Sequence, residues 1–392
     1  MPFLYTLNLV KSKVEIRPTP LCFAYCCIFV QIADMPRFHS LVVQSIFHET
    51  PNSVSISLAV PEEETEAFAF KAGQYLTFRV HLDGKELRRT YSICSGPEES
   101  ELRVGIKRLE GGAFSTWANT TLAVGQTLEV MPPMGRFVLP ESKPEGSNFV
   151  AFASGSGITP VLAMIKEVLT RRERDRFTLF YGNRFTGSIM FREEIEGLKN
   201  RFPGRLALYH ILSGEHPEVD LFKGRIDADK VKALSGKLFD PSNTDFFLAC
   251  GPGDMIQQVK TGLQELGVGP ERVLSEMFAA PGIASTKKEG PSAHSVGRAG
   301  ISQVTVVLDG FSMQFPLDYQ GANILDAALE AGADVPYACK GAVCATCKAK
   351  IIHGTARMDL NYALSPEEVQ DGYVLCCQAH PESAELLVNF DH

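Results

Sequence analysis

Cys339-Lys340-Gly341-Ala342-Val343-Cys344-Ala345-Thr346-Cys347 places three cysteines in a C-x4-C-x2-C spacing. Cys377 follows after a further twenty-nine residues. Four thiolates at this spacing are the plant-type ligand set of a [2Fe–2S] cluster, with Cys339, Cys344, Cys347 and Cys377 as the ligands. Gly341, Ala342 and Ala345 are small, so backbone amides can approach the sulfurs and stabilise their negative charge. A structural zinc site also takes four cysteines, but normally as two close C-x2-4-C pairs. A Rieske centre needs two histidine ligands, and neither His353 nor His380 stands at ligand spacing. Register separates the adjacent Cys376 and Cys377: only Cys377 gives the twenty-nine-residue gap, which leaves Cys376 as a small buried residue.

A one-electron cluster needs a source and a destination for electrons. At 392 residues the chain has room for two or three domains. Hydrophobic residues at 45% and charged residues at 21% are ordinary for a globular protein. Net charge is −8, and residues 301–392 carry all of it, with twelve acids against four bases. That balance argues against nucleic acid as a partner. It suits either docking to a basic patch on an acceptor protein or a plain solubilising surface. Thiolate ligands suit a reducing compartment, so the ten cysteines are not read as disulfides, and the expected location is cytoplasmic.

Residues 1–34 differ from the rest. Leu21 to Val30 is apolar but too short to span a bilayer, so no membrane partner is expected. Lys11, Lys13 and Arg17 ahead of it give a faint signal-peptide pattern. The expectation is that this segment is a non-native or disordered extension and that the first domain begins at Met35.

From 35 to 142 the pattern is strand-rich. Ser53–Val60 alternates as a half-buried strand does, and Leu76–His81, Leu102–Lys107 and Thr127–Met131 follow with turn residues such as Asp83-Gly84 between. A small antiparallel barrel is expected. It contains Ala72-Gly-Gln-Tyr75, then Arg89-Thr-Tyr91-Ser92, then Gly111-Gly-Ala-Phe-Ser115 at a helix start. From 143 to 280, strands alternate with helical patterns, which predicts a parallel-sheet α/β domain. Its first strand runs into Gly155-Ser-Gly157-Ile-Thr159-Pro160, with Thr159 read as N-cap and Pro160 as first helical residue. Cys250-Gly251-Pro252-Gly-Asp-Met255 forms a second loop.

These motifs in this order resemble the ferredoxin–NADP reductase superfamily. The resemblance implies that Arg89 neutralises the pyrophosphate of FAD, Tyr91 packs on the isoalloxazine and Ser92 approaches its reactive edge. The chemistry is sound: a guanidinium matches phosphate geometry and an aromatic face excludes water. Lys107, Gly112 and Ser115 are further flavin candidates, the last two at a helix N-terminus suited to phosphate. It also implies that Gly157, Thr159, Pro160, Gly251 and Pro252 cradle the nicotinamide, with Cys250 near the hydride. Phe278 is either a cover for the flavin or a core residue, and Glu276 is a weaker candidate beside it. Asn183 and Arg184 end the second strand, near Thr186 and Ser188, where an acid would favour NADH and an arginine accommodates the 2′-phosphate of NADPH. The reading is NADPH, with NADH possible.

Residues 281–300 read as a flexible tether. Residues 301–392 begin with a hairpin signal at Asp309-Gly310 and resemble the plant-type ferredoxin, a β-grasp. The order flavin, nicotinamide, ferredoxin, with the cysteine motif and Asn361-Tyr-Ala-Leu-Ser-Pro-Glu-Glu-Val369, resembles the family of reductase subunits of phenylacetyl-CoA epoxidases. That resemblance implies NADPH, FAD and cluster in series, delivering electrons to a di-iron oxygenase that itself binds the CoA ester. Reductases of steroid and other hydroxylases share the layout, so a different terminal oxygenase is the alternative acceptor. A cluster-holding redox sensor is a third reading, disfavoured by the intact nicotinamide loops.

Overall fold

The computed structural model describes residues 38–278, 300–308 and 310–391. The expected extension at 1–34, the start at Met35 and nearly all of the tether lie outside the described residues.

The first domain holds β1 (His39–Thr50), β2 (Ser53–Ala59), β3 (Tyr75–Leu82), β4 (Lys85–Ser92), β5 (Leu102–Lys107), helix α1 (Ala113–Thr120) and β6 (Thr127–Met134). The strands pair antiparallel in the order β4-β3-β6-β1-β2-β5. A bridge from Ile93, just past β4, to Val104 of β5 joins the two ends of the sheet into a barrel. Leu82 pairs with Lys85, so Asp83-Gly84 is a two-residue hairpin loop. Both residues have positive φ, 52° and 73°, as a turn matching the strand twist requires. Leu41, Ile56, Leu76, Phe78, Val104, Phe114 and Val130 fill the interior. The expected half-buried β2 is a correction: Ser53, Ser55 and Ser57 are buried as well as its apolar face. Ser55 donates to Glu49 at 2.7 Å, and Glu49 also accepts the Phe191 amide from the second domain at 3.3 Å. The serine face is therefore covered by protein, with its hydroxyls paired.

The second domain alternates β7 (Asn148–Ser154), α2 (Ile158–Arg171), β8 (Arg176–Asn183), α3 (Arg192–Arg201), β9 (Leu206–Leu212), α4 (Ala228–Leu234), β10 (Phe246–Gly251), α5 (Gly253–Glu265) and β11 (Val273–Met277). The sheet is parallel throughout, in the order β11-β10-β7-β8-β9. The chain leaves β7 toward β8 and later returns to its other side with β10. This reversal opens a crevice at the carboxyl ends of β7 and β10, where doubly wound sheets bind ligands. The helix start is a second correction. A 3-10 turn over Gly155–Gly157 runs directly into α2 at Ile158, so Thr159 lies inside the helix. Its hydroxyl donates back to the Ser156 carbonyl at 3.0 Å rather than capping. Pro160 still falls in the first turn, where its missing N–H costs nothing.

The third domain contains β12 (Ile301–Leu308), β13 (Phe311–Asp318), α6 (Ile324–Glu330), β14 (Lys348–His353), β15 (Ala356–Met358), α7 (Pro366–Gln370), β16 (Tyr373–Leu375), β17 (Ala379–Pro381) and β18 (Glu385–Asn389). Five strands order as β13-β12-β18-β14-β16, with β12 and β18 parallel, and β15 pairs β17 separately. Asn323 caps α6 by accepting the Asp326 amide at 2.8 Å, and Ser365 and Glu368 form a capping box on α7.

Candidate functional site

The end of β4 carries Arg89, Tyr91 and Ser92 to the rim of the barrel. The Tyr91 ring meets Phe78 edge-on at 5.9 Å and tilts against Phe114 at 5.3 Å, so two aromatics fix its plane. Ser92 is buried, while the exposed Arg89 guanidinium donates to the Arg88 carbonyl at 2.7 Å. Gly112 caps α1. The Ser115 hydroxyl donates to the Gly112 carbonyl and accepts the Leu109 amide, so it orders the loop. The first amides of the helix are the groups there that could take an anion. Lys107 is half-buried, and burial lowers its ammonium pKa. A Cβ added to Gly155 would lie 3.3 Å from its Nζ, which puts Lys107 at the seam with the second domain.

The turn at 155–160 and the loop at 250–255 meet at the crevice. A Cβ on Gly157 would lie 2.2 Å from the Cys250 carbonyl oxygen, so only glycine allows this approach. Thr159 faces the barrel: a Cβ on Gly105 of β5 would come within 2.7 Å of its methyl. Cys250 sits between Ala153 of β7 and Glu276 of β11 in register, and burial pushes its thiol up. Gly251, at φ 150°, leads through Pro252 into α5. The Phe278 amide reaches the Gly251 carbonyl at 3.4 Å, and its half-buried ring packs on the core around α2. Ser92 donates to Glu276 at 3.3 Å, linking barrel to nucleotide domain. Loss of solvent drives the Glu276 carboxyl up to about 8. Its sequence signal was a lone acid within Leu274-Ser-Glu-Met-Phe278 at a sheet terminus.

At the end of β8, Asn183 is buried and Arg184 exposed, its guanidinium 5.1 Å from the Phe185 ring. The neighbouring hydroxyls are not free. Thr186 donates its amide and hydroxyl to the Glu215 carboxylate, each at 2.6 Å, and Ser188 bonds the Phe185 carbonyl at 2.6 Å. Glu215 was not legible beforehand, because it lies on the loop after β9.

The cluster loop bends through three non-glycine residues with positive φ: Lys340 at 52°, Ala342 at 62° and Ala345 at 54°. Such left-handed turns rotate amides inward as an anion-binding concavity. The Gly341 amide lies 3.2 Å from the Cys339 sulfur. The thiols fall into two contacting pairs, Cys339 with Cys344 and Cys347 with Cys377. Cys339 and Cys377 are held below the usual thiol range, first by those partners and then by backbone amides. Two thiolate pairs fit a binuclear centre with two sulfurs on each iron. Among the described residues no group gathers as a single metal ion would require. Cys376 is fully buried and its thiol is pushed up, as a packing residue should be.

One side of this loop is covered by the barrel. The Tyr75 hydroxyl donates to the Cys344 carbonyl and lies 3.4 Å from the Thr346 hydroxyl, within a small apolar cluster of Tyr75, Met134, Ala338, Cys339 and Cys344. Polar contacts surround it: Arg88 to Asp334 at 3.2 Å, and Arg136 to Glu368 at 2.5 Å and the Ala363 carbonyl at 3.1 Å. Elsewhere Cys377 lines a cavity of about 350 Å³ with Asn323, Asp326, Lys340, Asp359 and His380.

Comparison with known proteins agrees with this layout. Residues 40–139 match the oxidoreductase FAD-binding domain, 152–261 the oxidoreductase NAD-binding domain and 306–382 the 2Fe-2S iron-sulfur cluster binding domain. The chain is 43% identical to a component of the 1,2-phenylacetyl-CoA epoxidase of Escherichia coli (strain K12), over 91% of this chain and 99% of that protein. It is 32% identical to the ferredoxin reductase component of 3-ketosteroid-9-alpha-monooxygenase of Rhodococcus rhodochrous, over 92% and 99%. Phthalate dioxygenase reductase shares the fold, with a TM-score of 0.56 at 22% identity over 90% of this chain and 98% of that one. A barrel, a parallel nucleotide sheet and a four-cysteine β-grasp in this order identify the chain as a member of the oxygenase-reductase family of oxidoreductases, which join FAD-binding and NAD-binding domains to a C-terminal 2Fe–2S ferredoxin domain.

Proposed function

We propose that this chain draws electrons from NADPH and passes them through FAD and a [2Fe–2S] cluster to the di-iron oxygenase that epoxidises phenylacetyl-CoA. The observation that carries the reading is a single cross-strand pair. Tyr75 and Ser92 are partners on β3 and β4, and one touches the cluster loop while the other touches the nucleotide domain. The barrel residues between donor and cluster are thus adjacent in one ladder.

When bound, the flavin takes two electrons as hydride and releases them singly, and the cluster relays single electrons. The chain's own residues bind, orient and exclude water. Arg89 and the amides after Gly112 take the pyrophosphate, and Tyr91, held by Phe78 and Phe114, takes the ring face. Gly157, Thr159, Pro160, Gly251 and Pro252 seat the nicotinamide against Ser92 and Cys250, with Phe278 at the edge. Ser92 and Glu276 hold a proton at the carboxyl, since burial keeps Glu276 largely neutral near pH 7. Cys339, Cys344, Cys347 and Cys377 are the iron ligands. The domains divide at 35–142, 143–280 and 301–392. The compartment is the cytoplasm, in keeping with seven free cysteines among the described residues. No described helix is long and apolar enough to cross a membrane.

Two observations favour secondary readings. Glu215, which accepts from Thr186 two residues after Arg184, brings an acid to the end of β8, and an acid there favours NADH. The likeness to a ketosteroid monooxygenase component favours another terminal oxygenase. The test is reconstitution: the chain with NADPH and purified phenylacetyl-CoA epoxidase oxygenase subunits should form epoxide. Turnover only with a steroid hydroxylase would assign the second acceptor.

A further inference from the structure

Tyr75 begins β3 and is only 5% exposed. Its ring is bedded by Gly135, whose φ of 119° suits glycine and where an added Cβ would press within 3.0 Å of the ring. Its hydroxyl crosses to the third domain and donates to the Cys344 carbonyl, beside Thr346. Among the described residues the charged pairs between these domains each have one partner open to solvent, although Arg88 itself is buried and lies over the Tyr337 ring at 4.3 Å. Arg136 is 53% exposed in its pair with Glu368, and Asp334 is 78% exposed in its pair with Arg88. Such pairs are screened by salt and hold geometry weakly. A buried hydrogen bond to a fixed carbonyl holds it far better, because breaking it strands two desolvated groups. The clamped carbonyl belongs to a cluster cysteine, and Tyr75 pairs in register with Ser92.

We propose that Tyr75 is the positioning residue for electron transfer between the barrel and the cluster: by bonding Cys344 it clamps the cluster loop at a fixed separation from the flavin strand. The inference rests on the cofactor assignment above. In the step it serves, one electron leaves the reduced flavin and the oxidised cluster gains one. Tyr75 keeps its proton and its own electrons throughout. Electron transfer slows steeply with separation, so a loosened loop slows this step and leaves hydride uptake aside.

The test compares holoprotein of wild type and Tyr75→Phe, which keeps the ring and removes the bond. Turnover is read with ferricyanide, which accepts electrons from flavin, and with cytochrome c, which takes them through the cluster. Amide exchange of peptides spanning 338–348 is read by mass spectrometry. The ratio of cytochrome c to ferricyanide turnover should fall at least about threefold, and exchange should quicken by about tenfold, as loss of one buried hydrogen bond implies. An unchanged ratio, or unchanged exchange, overturns the proposal. So does an equal fall with both acceptors, which would place Tyr75 at the hydride step. Wild-type protein without iron would instead sink the cofactor reading, and exchange in Tyr75→Phe equal to that of wild type would still overturn the clamp.

Discussion

The Ser92 hydroxyl donates to the Glu276 carboxyl across 3.3 Å, joining the last residue of β4 to the interior of β11. The residue is partly exposed, but its carboxyl is shielded from solvent, and desolvation raises it from its ordinary 4.5 to about 8. The sign follows from proton uptake. In the unfolded chain the group ionises near 4.5, so between there and 8 folding must bind a proton. Its contribution to stability is present below about 4.5 and is lost as pH rises to 8. Glu276→Gln removes that loss. The variant should unfold about 2–4 °C above wild type at pH 8.5 and show no advantage at pH 4.5. A scan of Tm against pH checks this, and an advantage confined to acid pH would contradict it.

Gly157 and the Cys250 carbonyl leave no room for a side chain. Gly157→Ala should force the two loops apart and cost roughly 1–3 kcal/mol, as overpacking does. NADPH-driven bleaching of the flavin should slow more than about tenfold as the near-attack geometry is lost. Dithionite, which needs no nucleotide site, should still reduce flavin and cluster. Stopped-flow absorbance separates the two.

In the proposed assignment Arg184 and Glu215 favour different nucleotides. Arg184→Ala should lower kcat/KM for NADPH by about tenfold, as loss of one charged phosphate contact predicts, and leave NADH within about twofold. Glu215→Gln removes a carboxylate whose pKa the Thr186 hydrogen bonds depress, so it is ionised at neutral pH. That variant should shift preference further toward NADPH. Steady-state ratios with both nucleotides measure it.

Cys376 and Cys377 are adjacent but separable by geometry. Cys377→Ser should lose most of the iron, because its sulfur pairs with Cys347. Cys376→Ala should retain iron and cost stability alone, about 1–2 kcal/mol for a small buried side chain. Iron per chain and the visible spectrum decide. Equal iron loss in both variants would contradict the ligand assignment.

Much of this architecture was legible beforehand because its signals are local. The cysteine spacing, the glycine turn after β7 and the alternation in β3 each follow from chemistry within a few neighbouring residues. Four features were missed, three of them set by distant residues and one, the helix start, by its own local turn. Burial of the β2 serines depends on Glu49 and the Phe191 amide, which no strand pattern encodes. The helix at Ile158 starts early because Gly155–Gly157 already curls as a 3-10 turn, so Thr159 looked like a cap when it is an interior residue. Glu215 and the Tyr75 contact join segments far apart in the chain, 29 and 269 residues in separation. Tyr75 stood in a recognisable motif, but nothing in that motif says which domain its hydroxyl reaches.

An anaerobic reduction with NADPH tests most directly the proposed path from nicotinamide through the barrel to the cluster. Flavin absorbance should bleach first and the cluster bands second, with the electron paramagnetic resonance signal of a reduced [2Fe–2S] cluster appearing as the second phase proceeds. A protein that contains iron and whose flavin bleaches, while its cluster stays oxidised and silent, would contradict the path.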